Sequence, residues 1–147
     1  MADIIPHDFF RSVMEKEQDI NATDTIKVAL VDDTYTPDAD HTQYSDVSGD
    51  ELANSNGYTT GGATVTCSVT DDDANDLVKV DITDPTWTAS GGTLGGVAAR
   101  YAVVYNDTST PKSILYIIDL GSNQTISDGQ QFTIQIDSDG LMTVAQA

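Results

Sequence analysis

The chain has 147 residues, 39% of them apolar, and carries 24 Asp and Glu against 6 Lys and Arg, a formal net charge of −18. That length predicts one domain with enough core to stand without disulfide or metal staples. The charge excludes nucleic acid and anionic membrane surfaces as partners, because an acidic face is repelled by both.

The same surface repels itself, and salt relieves that repulsion. A high-salt medium and a plain aggregation-resistant surface both account for it. There is one cysteine, Cys67, so no disulfide can close within the chain. The N-terminus, MADIIPHDFFRSV, lacks the basic head and long apolar centre of a secretory signal. No stretch is apolar enough to span a bilayer. The protein is expected to be made in a cytoplasm and not exported by a signal-peptide route. Three N-x-T triplets, at Asn21, Asn106 and Asn123, read as Thr-rich loops.

In chain order, the first segment is the one good helix candidate. Pro6 suits its start and Asp8 its first turn. Phe9 and Val13, and Phe10 and Met14, stand four apart, and Glu15–Gln18 are strong helix formers. The helix region is expected to end at Asn21 or Asp24. From Thr25 the apolar period changes to two: Ile26, Val28 and Leu30 share one face. A long polar stretch follows, Asp32 to Gly62, rich in turn residues; a segment of that kind inside a compact domain points to function or a partner surface.

ATVTCSV reads as one strand, with Cys67 a buried small residue between Val65 and Val69. LVKVDI pairs with it as a hairpin across Asp71–Asp76. A short strand surrounds Trp87, which anchors the turn begun at Asp84–Pro85, and SGGTLGG lets the chain cross to the next strand. AARYAVVY and SILYIID are apolar on both faces and are expected to lie centrally. QQFTIQI and LMTVA close the chain as a hairpin across Asp137–Gly140. The pattern predicts a mostly β fold, an antiparallel sandwich or flattened barrel of about seven strands with one N-terminal helix. Residues 1–22 form the N-terminal arm or helix and residues 23–147 the sandwich domain.

The sequence holds little that resembles catalytic chemistry. Acidic pairs are too numerous to single out a dyad. His41 follows Asp38 and Asp40, and all three lie in a solvated loop. Asp137, Asp139 and Gly140 resemble the start of a calcium loop but lack its flanking helices and later glutamate. Asp71, Asp72 and Asp73 read as a solvated turn. There is no G-x-S-x-G motif and no P-loop. No catalytic residue, metal or cofactor is expected. Arg100, a rare cation at the head of an apolar strand, either pairs with a carboxylate or marks an interface. Tyr44 and Tyr58 either stack on a sugar or pin the polar loop to the sheet. Ile4, Ile5, Phe9 and Phe10 form an apolar cluster at a chain end. Such a cluster must dock on its own sheet, on another subunit or on a partner.

The N-terminal helix followed in order by "TDTIKVALVDDTYTPDADHTQYSDV", "NGYTTGGATVT", "DPTWTASGGT", "ARYAVVYNDTSTPKSILYIIDLG" and "SDGQQFTIQIDSDGLMTV" makes a succession over nearly the whole chain. It resembles a family of small structural proteins of tailed bacteriophages, some of whose relatives are regarded as capsid decoration, or cement, proteins. The present N-terminus is more acidic and its loops are richer in Asp than that pattern. The resemblance implies a non-enzymatic virion protein on the capsid exterior. It would bind the major capsid protein between capsomers and stabilise the head. It also implies a homotrimer, since capsid lattices offer threefold points. Ile4, Ile5, Phe9, Phe10, Arg11 and Arg100 are then the expected capsid or subunit interface. The competing reading is a tail or head-fibre module that binds a host-surface glycan.

Overall fold

A computed structural model describes residues 3–21 and 23–145. The change of apolar period falls where the sequence predicts it. Helix α1 (His7–Met14) comes first, and among the described residues nine strands follow. They are β1 (Ile26–Val31), β2 (Ala63–Val65), β3 (Cys67–Asp72), β4 (Leu77–Ile82), β5 (Thr86–Thr88), β6 (Ala99–Asn106), β7 (Ile114–Gln124), β8 (Gln131–Thr133) and β9 (Met142–Ala145). They form antiparallel sheets in the orders β2-β1-β6-β7, β3-β4-β9 and β5-β8. The protein is mostly β and sandwich-like, as expected, with more strands than the periodicity resolved.

The large sheet is built on β1 and β6, in register from Ile26↔Asn106 to Val31↔Tyr101. Side chains of a strand alternate between faces, so these two apolar strands feed two cores. Val28, Leu30, Ala102 and Val104 join one cluster with Phe9, Ile82, Trp87 and Met142. Ala29, Val31, Val103 and Tyr105 join the other with Tyr35 and Val47. The second cluster explains the long polar stretch. The first part of residues 32–62 crosses the far face of the sheet and drops Tyr35, Val47 and part of Tyr44 onto it, with two short 3-10 turns, Tyr44–Asp46 and Ser48–Asp50; its later part sends Leu52 and Tyr58 into the first cluster.

Four local expectations are corrected. ATVTCSV divides at Thr66: β2 stays with β1, and β3 leaves to pair with β4. The Thr66 N–H donates to Thr83 Oγ1 (3.1 Å) and the Thr83 N–H to the Thr66 carbonyl (3.0 Å), fixing this sandwich corner. The closing hairpin does not form. Asp137–Gly140 is a turn, closed by the Gly140 N–H on the Asp137 carbonyl, but β8 pairs with β5 and β9 with β4. Phe132 thereby meets Trp87 and Met142 meets Val80, apolar partners that a local hairpin would not supply.

β6 is central but β7 is an edge, and Ile4 covers part of it by exchanging two backbone hydrogen bonds with Ile117 (3.0 and 2.8 Å). Finally, α1 stops at Met14. Lys16 turns left-handed (φ 62°), and the chain beyond is held by Asn106, whose buried amide donates to Gln18 Oε1 and Asp24 Oδ2. The helix-forming Glu15–Gln18 run yields to that tether. Phe9 is 3% exposed in the same core as the strands.

Trp87 is 6% exposed and stacks on Phe132 at a centroid separation of 6.1 Å. Trp87→Ala is expected to lower unfolding free energy by roughly 3–5 kcal/mol in urea titrations; a loss below about 1 kcal/mol would mean a solvent-facing ring. Gly62 has φ +77°, and a methyl group there would lie 1.9 Å from the Val28 carbonyl oxygen. Gly62→Ala is expected to cost more than about 2 kcal/mol by the same measurement.

Candidate interaction surface

The residues expected at an interface are largely engaged within the chain. Ile4 lies on β7, Ile5 and Phe10 are partly buried against the first core, and Phe9 is inside it. Arg11 is exposed on α1 and ion-paired with Asp8 (2.8 Å), Glu15 and, at 3.9 Å, Glu17. Arg100 is held on β6 by Asp119 and lies over the Tyr101 ring, 4.6 Å from its centroid. The Arg100 guanidinium and the Gly121 N–H hold the Asp119 carboxyl well below the usual carboxylate range. The Asp119 backbone N–H in turn donates to Asp3 (2.8 Å). The structure therefore brings Ile5, Phe9, Phe10 and Arg11 together on or beside α1 and leaves Arg100 apart.

The apolar surface that remains open is at the end of α1. The helix buries Phe9 and Ser12, whose hydroxyl donates to the Phe9 carbonyl (2.8 Å). It leaves Val13 39% and Met14 82% exposed. Across from them, Val69, Val78, Met142 and Val144 of the β3-β4-β9 sheet complete an apolar groove of about 290 Å³. Val144 is 48% exposed; elsewhere among the described residues the one other large exposed apolar side chain is Val97.

Register sets the groove's charge. Directly opposed residues share a face, and the pairs are Val69↔Val80, Asp71↔Val78, Val78↔Val144 and Val80↔Met142. Asp71 therefore stands on the groove face. Asp71, Asp72, Asp73 and Asp76 line a second depression that shares Val78 and Val144 with the groove. The sequence carried a signal for this: Val78, Val80, Met142 and Val144 alternate apolar on two strands of which one, β9, is an edge. The hairpin expected for β9 hid it.

Tyr44 and Tyr58 belong to a different arrangement. The Glu51 carboxylate accepts hydrogen bonds from both phenols and from the Gly61 N–H (2.7 Å). The Tyr58 oxygen accepts from the Leu30 N–H of β1 (2.9 Å). Tyr44 stacks on Tyr105 (4.4 Å between centroids), and Tyr105 donates to the Gly61 carbonyl (2.8 Å). These rings pin the polar segment to the sheet. With Tyr58 and Trp87 buried, neither offers a face to a sugar.

His41 hydrogen-bonds Tyr35 (2.9 Å), and His7 approaches Asp40 at 3.9 Å. Among the described residues, no group of three His, Cys, Asp or Glu side chains converges as metal ligands. Cys67 is buried, and burial pushes its thiol up to about 11. The Asn106 triplet is a buried structural amide whose oxygen accepts from the Thr108 and Ser109 N–H groups. No described helix is long and apolar enough to cross a membrane. No protein-family model matches the chain, and neither a curated protein nor a solved structure matches it.

Burial, then the neighbouring Glu51, raises the Tyr44 and Tyr58 phenols above the ordinary tyrosine range, and burial brings Tyr35 and Tyr116 up to about 12. In the unfolded chain tyrosine ionises near pH ~10. Stability held below that pH is therefore lost as pH rises toward the raised folded values. Alkaline unfolding monitored by phenolate absorbance is expected to begin above about pH 10. Tyr58→Phe should be less stable at neutral pH yet show a shallower alkaline slope.

Proposed function

We propose that this protein is a non-enzymatic component of a tailed-phage virion that decorates and stabilises the icosahedral capsid. It would sit on the capsid exterior and bind the major capsid protein non-covalently between capsomers. The observation that carries this reading is the apolar groove beside Met14, open on a surface whose net charge is −18. An apolar patch retained on so acidic a protein is best explained by a partner that covers it. A methionine at its edge suits that role, because its thioether chain adapts to the surface it meets. The sequence resemblance to phage structural proteins supplies the kind of partner. The glycan-binding alternative loses support from the burial of Tyr58 and Trp87.

The reading includes a homotrimer, which rests on the resemblance and on the threefold points of a capsid lattice. Light scattering across a range of salt measures that mass directly; a monomer on purified heads would remove this part of the proposal.

Because Phe9 lies in the core, deleting residues 1–20 would test folding before binding. Point variants at exposed positions are the cleaner probe. Met14→Glu is expected to leave melting unchanged and weaken binding to purified heads by at least about tenfold. Heads lacking the protein should disrupt at a lower temperature, and adding it back should restore them. Quantifying the protein in purified virions decides the class: a cement protein is present on the order of hundreds of copies, as capsid symmetry requires. A few copies confined to a tail or fibre would overturn the proposal.

A further inference from the structure

We infer that the groove between α1 and the β3-β4-β9 sheet receives a peptide segment of a partner protein in which apolar side chains are flanked by Lys or Arg. The inference rests on the proposed virion role for where the partner sits, and on the groove itself for the partner's chemistry.

The floor is apolar: Phe10, Val13 and Met14 face Val78, Met142 and Val144. The rim is acidic. Asp71 stands on the groove face by register, and Asp73 and Asp76 follow in the adjoining turn; Asp72, the last residue of β3, alternates to the other face. The cation of β4, Lys79, alternates to the opposite face, where it donates to the Ser138 carbonyl (2.8 Å). A segment entering the groove thus buries its apolar side chains and brings its flanks against carboxylates, which favours cationic flanks.

Two other occupants fit less well. A second copy brings another −18, and its cations are largely spent: Arg11, Lys27, Arg100 and Lys112 are already held by carboxylates of their own chain. An anionic lipid surface is repelled by the same aspartates that attract a basic segment.

The test uses the intact protein and two dye-labelled synthetic peptides with the same Leu/Val centre, one flanked by lysines and one by glutamates, read by fluorescence anisotropy. The lysine-flanked peptide is expected to bind saturably, more weakly as salt rises, and at least about tenfold tighter than its counterpart. Met14→Glu and Val144→Glu, both at exposed positions, are each expected to lower that affinity at least about tenfold with melting temperature unchanged. Asp71→Lys combined with Asp73→Lys is expected to reverse the preference between the peptides.

Equal binding of both peptides, no binding of either, or binding indifferent to Met14→Glu and Val144→Glu would overturn the inference. So would a dimer of the protein alone that Val144→Glu dissolves, or adsorption to phosphatidylserine vesicles through the same residues. Purified heads separate the two levels of the argument. Peptide binding as expected with no binding to heads removes the capsid role and leaves the groove's chemistry standing. Head binding untouched by both variants, with no peptide binding, does the reverse.

Discussion

The Glu51 carboxylate accepts hydrogen bonds from Tyr44, Tyr58 and the Gly61 N–H, and through them fastens the polar third of the chain over a sheet that cannot be left open. β1 and β6 are apolar on both faces, so each face needs a cover. The small sheets and α1 cover one. The other falls to residues 32–62, which have little apolar periodicity of their own and bury only a few side chains there. Hydrogen bonding must therefore hold what hydrophobic burial alone would not. Glu51 is suited to it because it sits beside Val31 in an isolated bridge, while Leu52 donates to the Leu30 carbonyl. A charged acceptor shared by three donors gives stronger bonds than neutral pairs would, and the Tyr44–Tyr105 stack closes the same joint from the side.

The scarcity of cations has a consequence for the surface. Arg100 is spent on Asp119, Lys27 and Lys112 on Asp107, and Arg11 on the acids of its own helix. What these pairs leave outside is almost wholly negative. Such a surface repels its own kind, so any contact it makes, a subunit contact included, must offer apolar area, cationic chemistry, or both. The groove beside Met14 combines the first with a demand for the second.

The sequence made local structure readable and non-local pairing hard to read. Alternation located β1 and a run apolar on both faces located β6, and the hairpin of β3 and β4 forms as expected, with Asp71 and Asp72 in the strand and the turn confined to 73–76. Trp87 and Cys67 were recognisable as buried because their neighbours alternate or turn around them. Arg100 needed a carboxylate, and one stands opposite its strand. The partners of β8 and β9 were not readable. Both could close a hairpin over Asp137–Gly140, and what decides otherwise is the fit of Phe132 on Trp87 and Met142 on Val80, positions far away in the sequence. The division at Thr66 was hidden for the same reason: the period of two runs on unbroken while the strand changes sheets. At the candidate site, the apolar cluster of the N-terminus was visible, but which of its members remain open was not. That depends on where α1 ends.

The end of α1 is set far from the helix. Asn106, at the close of β6, is fully buried, and its amide is satisfied by Gln18, Asp24 and the backbone of Thr108 and Ser109. A buried amide with its partners removed is costly, so the segment after Met14 is drawn toward the β6–β7 turn instead of continuing the helix. Glu15–Gln18 have the propensity to extend it, yet propensity is worth only tenths of a kcal/mol per residue against a buried polar network worth more. The helix therefore stops with Val13 and Met14 uncovered above the small sheet. The Asn106 network thus fixes the chain just beyond the groove, and the helix end that borders the groove is held as firmly as those hydrogen bonds.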